Sequence, residues 1–349
     1  MVQSLRSALS RAAAGYPFGV RLRKHGDRYF HVPAFFVIAA VLAGCGAGLA
    51  ADGSIRPVPL SEEAGHADRV GPLRFRGGLE LHHDDPAFGG LSSIRVTPEG
   101  TGFTALSDRG RIVTGSLIHD AEGRLTGTSG LVVTPLRDSD GTALTGRRSD
   151  SEEMAHLPGG GWVVSFEREH RLMRYPEVLA AGTPTAMTGP DGLSGLGGNS
   201  GIEAMAALAD GTLVLIAEGE AEEERHPGWL GGEGGWQSFT YLAQPPYRPV
   251  GAAVLPDGDL LVLERRYSWP AGVGARIARV PRERLLAGGE VAGETVARLE
   301  RPLTVDNYEG IDVRRPPGGP TRVYLISDDN FSASQRTLLL VFDLEEDRR

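Results

Sequence analysis

Two kinds of acidic position recur along the chain, and together they outline a site. Asp108, Glu167, Glu218, Glu264 and Asp328 each close the second of two short apolar strands, while Glu153, Glu203 and Glu309 open the first strand of three of these pairs. Opening and closing acids are 14, 15 and 19 residues apart, the length of a hairpin, so both fall at the same end of it. Carboxylates converging from several hairpins supply the hard oxygen ligands that calcium prefers, and calcium tolerates irregular geometry. Arg109, Arg168 and Arg265 each directly follow a closing acid, and guanidinium forks suit phosphate or carboxylate groups. A cation and arginines together could hold an anionic substrate and stabilise the charge that develops in phosphoryl or acyl transfer. The sequence therefore assigns Glu153, Glu203, Glu309 and Asp328 to a divalent cation, with calcium expected. Asp108, Glu167, Arg109 and Arg168 are the expected catalytic groups, and Arg265, Asn330 and Arg336 the expected substrate-binding ones. Taken singly, an acid at a strand end is as readily a turn cap or an ion-pair partner for the adjacent arginine. The recurrence is what argues for a shared site.

The elements that must position these groups are five copies of one arrangement: apolar strand, Gly-rich turn, apolar strand, acid. They read LSSIRVTPEGTGFTALSDRG, SEEMAHLPGGGWVVSFERE, GIEAMAALADGTLVLIAEGE, VGAAVLPDGDLLVLERR and YEGIDVRRPPGGPTRVYLISDDN. Repeats of this length made of strands predict an all-β propeller, because one small sheet cannot bury both faces without a neighbour. Opening positions Ser93, Glu153, Glu203, Gly251 and Glu309 lie 60, 50, 48 and 58 residues apart, room for four strands per blade. Outer strands are expected in RIVTGSLIHD, LTGTSGLVVTPL, QSFTYLAQ, ARIARVP and ETVARLE. The last run, TLLLVFDLE, has too little chain after it to finish a sheet, so a segment near LRFRGGLELHH is expected to join it and close the ring. Five or six blades satisfy the pattern. The 49 Gly and 23 Pro suit many tight turns rather than long helices.

Elimination narrows the chemistry. Lys24 is the only lysine and Cys45 the only cysteine, and both belong to the N-terminal segment, so the domain beyond it has no amine or thiol nucleophile. No serine has glycine two residues away on both sides, as a nucleophile elbow needs. Gly195-Leu196-Gly197 fails the dinucleotide fingerprint because Ser200 stands at the third glycine position. No HExxH or cysteine cluster suggests zinc. His82-His83-Asp84-Asp85 and Asp138-Ser139-Asp140-Gly141 read as polar loops.

Arg21, Arg23, Lys24 and Arg28 precede the apolar run VPAFFVIAAVLAGC, and Leu42-Ala43-Gly44-Cys45 resembles a bacterial lipobox. Residues 1–44 are therefore expected to be a lipoprotein signal, Cys45 a lipidated N-terminus, residues 45–70 a flexible tether and residues 71–349 the propeller; the alternative for the apolar run is an uncleaved membrane anchor continuing through Gly46 to Ala50. The protein is expected in the cell envelope, anchored by lipid and facing the periplasm or the cell surface. The 36 Lys and Arg less six in the signal, and the 45 Asp and Glu less one, leave the remaining chain near −14. That charge disfavours nucleic acid as a partner and leaves a small anionic or ester substrate as the expected ligand.

The runs FGGLSSIRV with SDRG, SEEMAHLPGG with FERE, GIEAMAALADG, RPVGAAVLPDGDLLVLERR, and NYEGIDV followed by SDDNFSASQRTLLLVF resemble the bacterial phytase-like proteins described as having esterase-like activity. The resemblance runs from about Leu81 to Phe342, and SDDNF with Gln335-Arg336-Thr337 is its most specific part. It implies a β-propeller at the cell envelope and hydrolysis of phosphate or other esters. Two further functions fit the same residues: a calcium-dependent lactonase of propeller type, and a non-catalytic binding scaffold of the envelope.

Overall fold

One five-residue turn is built four times, with a seven-residue variant in the fifth repeat, and it generates the architecture. In the computed structural model, which describes residues 55–63, 68–269 and 272–345, Gly100, Gly160, Gly211, Gly258 and Gly318 all have positive φ. Each sits in the turn joining the first two strands of a repeat, where a residue with a Cβ would be strained. The first four repeats form four-stranded antiparallel sheets. Blade 1 comprises Leu91–Val96, Gly102–Ser107, Arg111–His119 and Leu125–Pro135. Blade 2 comprises Ser151–His156, Trp162–Phe166, Arg171–Tyr175 and Thr185–Met187. In blade 3, Ile202–Ala207, Leu213–Ala217, Arg225–Gly232 and Gly235–Leu242 gain a short parallel strand, Gly289–Ala292, at the outer edge. Blade 4 comprises Arg248–Val254, Leu260–Ser268, Gly272–Val280 and Glu294–Leu299.

Blade 5 joins the two ends of the domain. Tyr308–Arg314, Arg322–Ser327 and Leu338–Leu344 are completed by Leu73–Glu80, in the register Leu338↔Glu80 to Leu344↔Leu73. The expected closure by LRFRGGLELHH is thus observed, and the ring has five blades rather than six. Closure completes the last blade and packs its face against blade 1, through Leu79, Ile94, Tyr324 and Leu339 among others. The one α-helix among the described residues, Arg282–Ala287, fills a link in blade 4.

The core is divided into five wedges, one between each pair of neighbouring blades. Leu106, Ile112, Met154 and Phe166 pack between blades 1 and 2, for example, and Leu263, Ile277, Ile311 and Leu340 between blades 4 and 5. No blade buries its two faces alone, which is why the repeats fold only as a ring. The stretch expected to be a tether enters this core. Arg56–Pro57 pairs with Leu79 and Glu80, Val58 and Leu60 are buried, and the Leu60 carbonyl accepts from Thr304 N at 2.7 Å. The domain therefore takes in residues 55–61, before the boundary expected at residue 71; the expected signal, residues 1–44, and Cys45 lie outside the described residues.

A single arginine crosses the axis. Three residues on from Ser92, Glu152, Glu203, Val250 and Glu309 in the five first strands, blade 1 carries Arg95 and the other four carry Ala155, Ala206, Ala253 and Asp312. The alanines leave room for the guanidinium, which donates to Ile94 O (2.6 Å), Ile311 O (3.0 Å), Met205 O (2.9 Å) and Ala252 O (3.4 Å). It also stands 3.3 Å from Glu153 Oε1. Blades 1, 5, 3, 4 and 2 thus all meet one buried side chain, which closes the channel below its acidic mouth.

Candidate functional site: the carboxylate mouth

An irregularity shared by all five first strands sets the positions of the mouth. The ladder skips one residue between Leu91 and Ser93, Ile202 and Ala204, Pro249 and Gly251, and Tyr308 and Gly310, and between Ser151 and Met154 it sets two, Glu152 and Glu153, against the single Ser165, again one extra residue. A β-bulge re-aims the extra side chain. The bulge residues are Ser92, Glu152, Glu203, Val250 and Glu309. The residue one beyond the second-strand partner that flanks each bulge (Ser107, Phe166, Ala217, Glu264 and Ser327) forms another ring: Asp108, Glu167, Glu218, Arg265 and Asp328. In four blades its backbone N–H is held the same way, donating to Gly90 O, Asp150 O, Gly201 O or Asn307 O at 2.8–2.9 Å. Those acceptors define a third ring, in which blade 4 contributes Arg248.

Two expected positions change with this register. Glu153 is not the counterpart of Glu203 and Glu309. Glu152 is, and Glu153 points down the channel to Arg95, accepting also from Ser93 Oγ and from Met154 N (2.8 Å). A slip of one residue along a strand sends a side chain to the other face, and with two adjacent glutamates the wrong one is easily chosen. Glu264 is likewise not a mouth residue: it lies between blades 3 and 4, paired with Arg276 Nη1 at 2.6 Å and accepting from Tyr241 Oη at 2.6 Å. Arg265 takes the place of the closing acid in blade 4.

The mouth is consequently polarised. On the blade 4 side, Arg265 donates to Asn307 Oδ1 (2.7 Å) and Glu218 Oε1 (2.9 Å) and lies 3.5 Å from Glu309, while Arg248 Nε stands 2.7 Å from Glu218. Glu309, Glu218 and Glu203 hold Arg265 more firmly protonated than burial alone would allow. Facing these cations, Asp150, Glu152 and Glu167 each bring a carboxylate oxygen within 4.8 Å of the others. Burial raises the Glu152 carboxyl well above the usual range, and the charges of Glu167, Asp150, Glu309 and Asp108 raise it further. Glu203 is raised by burial and then by Glu218 and Glu152. Burial is also the main cause at Glu167 and Asp108, both pushed up to about 7, and at Asp328, pushed up to about 9 with Glu309 adding to it. Such crowding fits a hard divalent cation, which neutralises several carboxylates at once.

Of the remaining expected residues, Arg109 stacks over the Phe331 ring at 3.4 Å, and Arg168 pairs with Asp150. Arg336 is turned to Asp306 (3.3 Å) and Glu62 (3.6 Å), where it clamps the entering chain rather than facing the mouth. Asn330 and Phe331 occupy the left-handed backbone region. That turn is fixed by Asp329, whose Oδ1 accepts from Phe331 N (3.0 Å) and Gly90 N (2.9 Å) and whose Oδ2 accepts from Thr337 Oγ1 (3.0 Å). Gly90 has φ +61, and a Cβ there would overlap the Asp108 carboxylate and the Phe331 ring. The FGG and SDDNF runs are therefore two halves of one joint between blades 5 and 1. Asp150, Glu152, Arg248 and Asn307 are mouth residues that the sequence reading missed. The adjacent acids of SDSEE were their only visible signal.

The family model for phytase-like proteins, described as "Esterase-like activity of phytase", matches residues 86–331. No curated protein matches the chain in sequence. Among solved structures, virginiamycin B lyase from Staphylococcus aureus is 10% identical over 83% of this chain and 99% of its own, with a TM-score of 0.40. A PQQ-bound aldose sugar dehydrogenase from Streptomyces coelicolor is 14% identical over 84% and 98%, TM-score 0.42. The Cps50 (Swd1) β-propeller domain of Myceliophteria thermophila is 12% identical over 76% and 99%, TM-score 0.39.

Proposed function

This chain belongs to the phytase-like family, and on that premise we propose that it is a metal-assisted hydrolase of phosphate or other esters, acting at the propeller mouth. The observation that carries the reading is the convergence of Asp150, Glu152 and Glu167, opposite the cationic sector of Arg265 and Arg248. These three carboxylates would hold the cation, calcium being the expected ion, with Glu203, Glu309 and Asp328 around them. When bound, it supplies a Lewis acid and a water of lowered pKa. Asp108, pushed up to about 7 and outside that trio, is poised to take or return a proton at neutral pH. Arg109, held flat on Phe331, offers a charge at the rim to an anionic substrate. The plug formed by Arg95 leaves the mouth as the way in. Export and lipid attachment at Cys45 remain part of the proposal, from the lipobox resemblance alone.

A second reading is favoured by one feature: Arg168, Arg248 and Arg265 are already paired with carboxylates. A neutral ester such as a lactone demands fewer cations than a phosphate. The test is hydrolysis of a phosphate monoester and of a lactone by the purified chain, with calcium and with chelator. Cation-dependent turnover that Glu167→Gln abolishes is expected. A KM effect of Arg109→Ala confined to the phosphate would decide between the substrates. If the calcium-loaded protein turns over neither, the binding-scaffold reading replaces this one.

A further inference from the structure

The two most exposed large apolar side chains among the described residues stand together. Tyr267 is 66% and Trp269 89% exposed, and both belong to the hairpin between Leu260–Ser268 and Gly272–Val280. The ladder of this hairpin continues beyond Arg265, the mouth residue of blade 4, through Arg266↔Gly274, Tyr267↔Val273 and Ser268↔Gly272. Blade 1 turns back at the level of its closing acid, Ser107 pairing with Arg111. At about 3.3 Å per residue the strand runs about 10 Å beyond Arg265 to its end at Ser268, and Trp269 opens the turn after it. The projection is braced at its base. Arg266 donates to Tyr247 Oη (3.1 Å), Glu300 Oε1 (3.0 Å), Ser268 Oγ and Gly272 O (both 3.3 Å).

The same face receives the incoming chain. Arg56 pairs with Glu80 at the mouth end of Leu73–Glu80, and Ser61 bridges to Leu303, three residues from the Glu300 that braces the hairpin. Ile55, where the described chain begins, is ten residues from Cys45. Ten residues reach at most about 35 Å when fully extended. An anchor at Cys45 would therefore hold the mouth face, rather than the opposite one, close to a lipid surface. Indole and phenol rings favour the bilayer interface, where an apolar body and a polar tip are both satisfied.

We propose that the mouth face rests against a bilayer, with Tyr267 and Trp269 inserted at the interface. This goes beyond the hydrolase reading and does not depend on it; it rests on the chain being membrane-anchored. The occupant is a zwitterionic lipid surface. Glu220, Glu222, Glu223 and Glu224, all exposed, crowd the same face in blade 3 and would be repelled by anionic lipid.

The probe is the full chain reconstituted in phosphatidylcholine vesicles whose acyl chains carry bromine, a short-range quencher of tryptophan. The chain has four tryptophans, and Trp162 and Trp236 lie in strands at the ends remote from the mouth. Quenching in the wild type that disappears in Trp269→Phe is expected. Vesicles should also protect Trp269 from iodide in solution, and mixing in anionic lipid at low salt should weaken both effects. Equal quenching in wild type and variant, no quenching in the wild type, or unchanged iodide access would each overturn the proposal. Soluble-ester hydrolysis by Trp269→Phe should equal wild type, so a failure here is separable from a failure of the hydrolase reading.

Discussion

Replacing Arg95 by methionine removes the one side chain that touches all five blades, and the consequence can be worked from its partners. Arg95 and Glu153 are 6% and 0% exposed in their side chains. Breaking such a pair by deleting one partner costs about 3–5 kcal/mol, because the other charge is left buried. For a domain of this size that corresponds to a fall in Tm of about 10 °C. Glu153 limits the damage by protonating. Its carboxyl is already pushed up to about 7 by burial, with Arg95 opposing, and loss of the guanidinium raises it further. A raised carboxylate stabilises the fold fully below its unfolded pKa and loses that contribution as pH rises through the folded value. Arg95→Met should therefore be mild at pH 5 and severe at pH 8. Urea unfolding followed by tryptophan fluorescence measures this, and a cycle with Glu153→Gln isolates the pair, for which a coupling of about 1–3 kcal/mol is expected. A variant within about 1 kcal/mol of wild type at pH 8, or strict additivity in the cycle, would refute the central plug.

Other outcomes follow from the mouth and the ring. Without divalent cations the raised carboxyls of Asp108, Glu167 and Asp328 make the folded protein bind more protons than the unfolded one, so Tm should fall as pH rises from about 5 toward 9. Asp328→Asn should lessen that fall between pH 7 and 9, and a Tm that climbs with pH in chelator would contradict the assignment. Deleting residues 338–349 removes Leu338–Leu344, all but two of whose residues are buried, and separates Leu73–Glu80 from its sheet. Loss of the cooperative unfolding transition is expected, and an unchanged Tm would argue against a closed ring.

The ring was legible because its signals are local: period-two apolar runs and a glycine turn recur in every repeat, and the unfinished TLLLVFDLE demanded a partner. The start of the domain is hard to read because RPVPLS looks polar, although Val58 and Leu60 stand at alternate positions and both enter the core. The mouth was legible as a set but not residue by residue. Spacing along the chain cannot locate a bulge, and the bulge decides whether Glu152 or Glu153 faces the axis. The same limit hid the exchange of Glu264 for Arg265. Arg95 carried no signal at all, since only closure of the ring brings three alanines and an arginine around one axis.

The central claim, that the mouth holds a divalent cation through Glu152 and its neighbours, is tested most directly by titrating the chelator-treated full chain with calcium in a calorimeter. Saturable binding is predicted for the wild type and for Glu153→Gln, with affinity lowered at least roughly tenfold in Glu152→Gln, because calcium affinity follows the number of charged ligands. Absence of binding in the wild type, or loss in Glu153→Gln with retention in Glu152→Gln, would contradict the account.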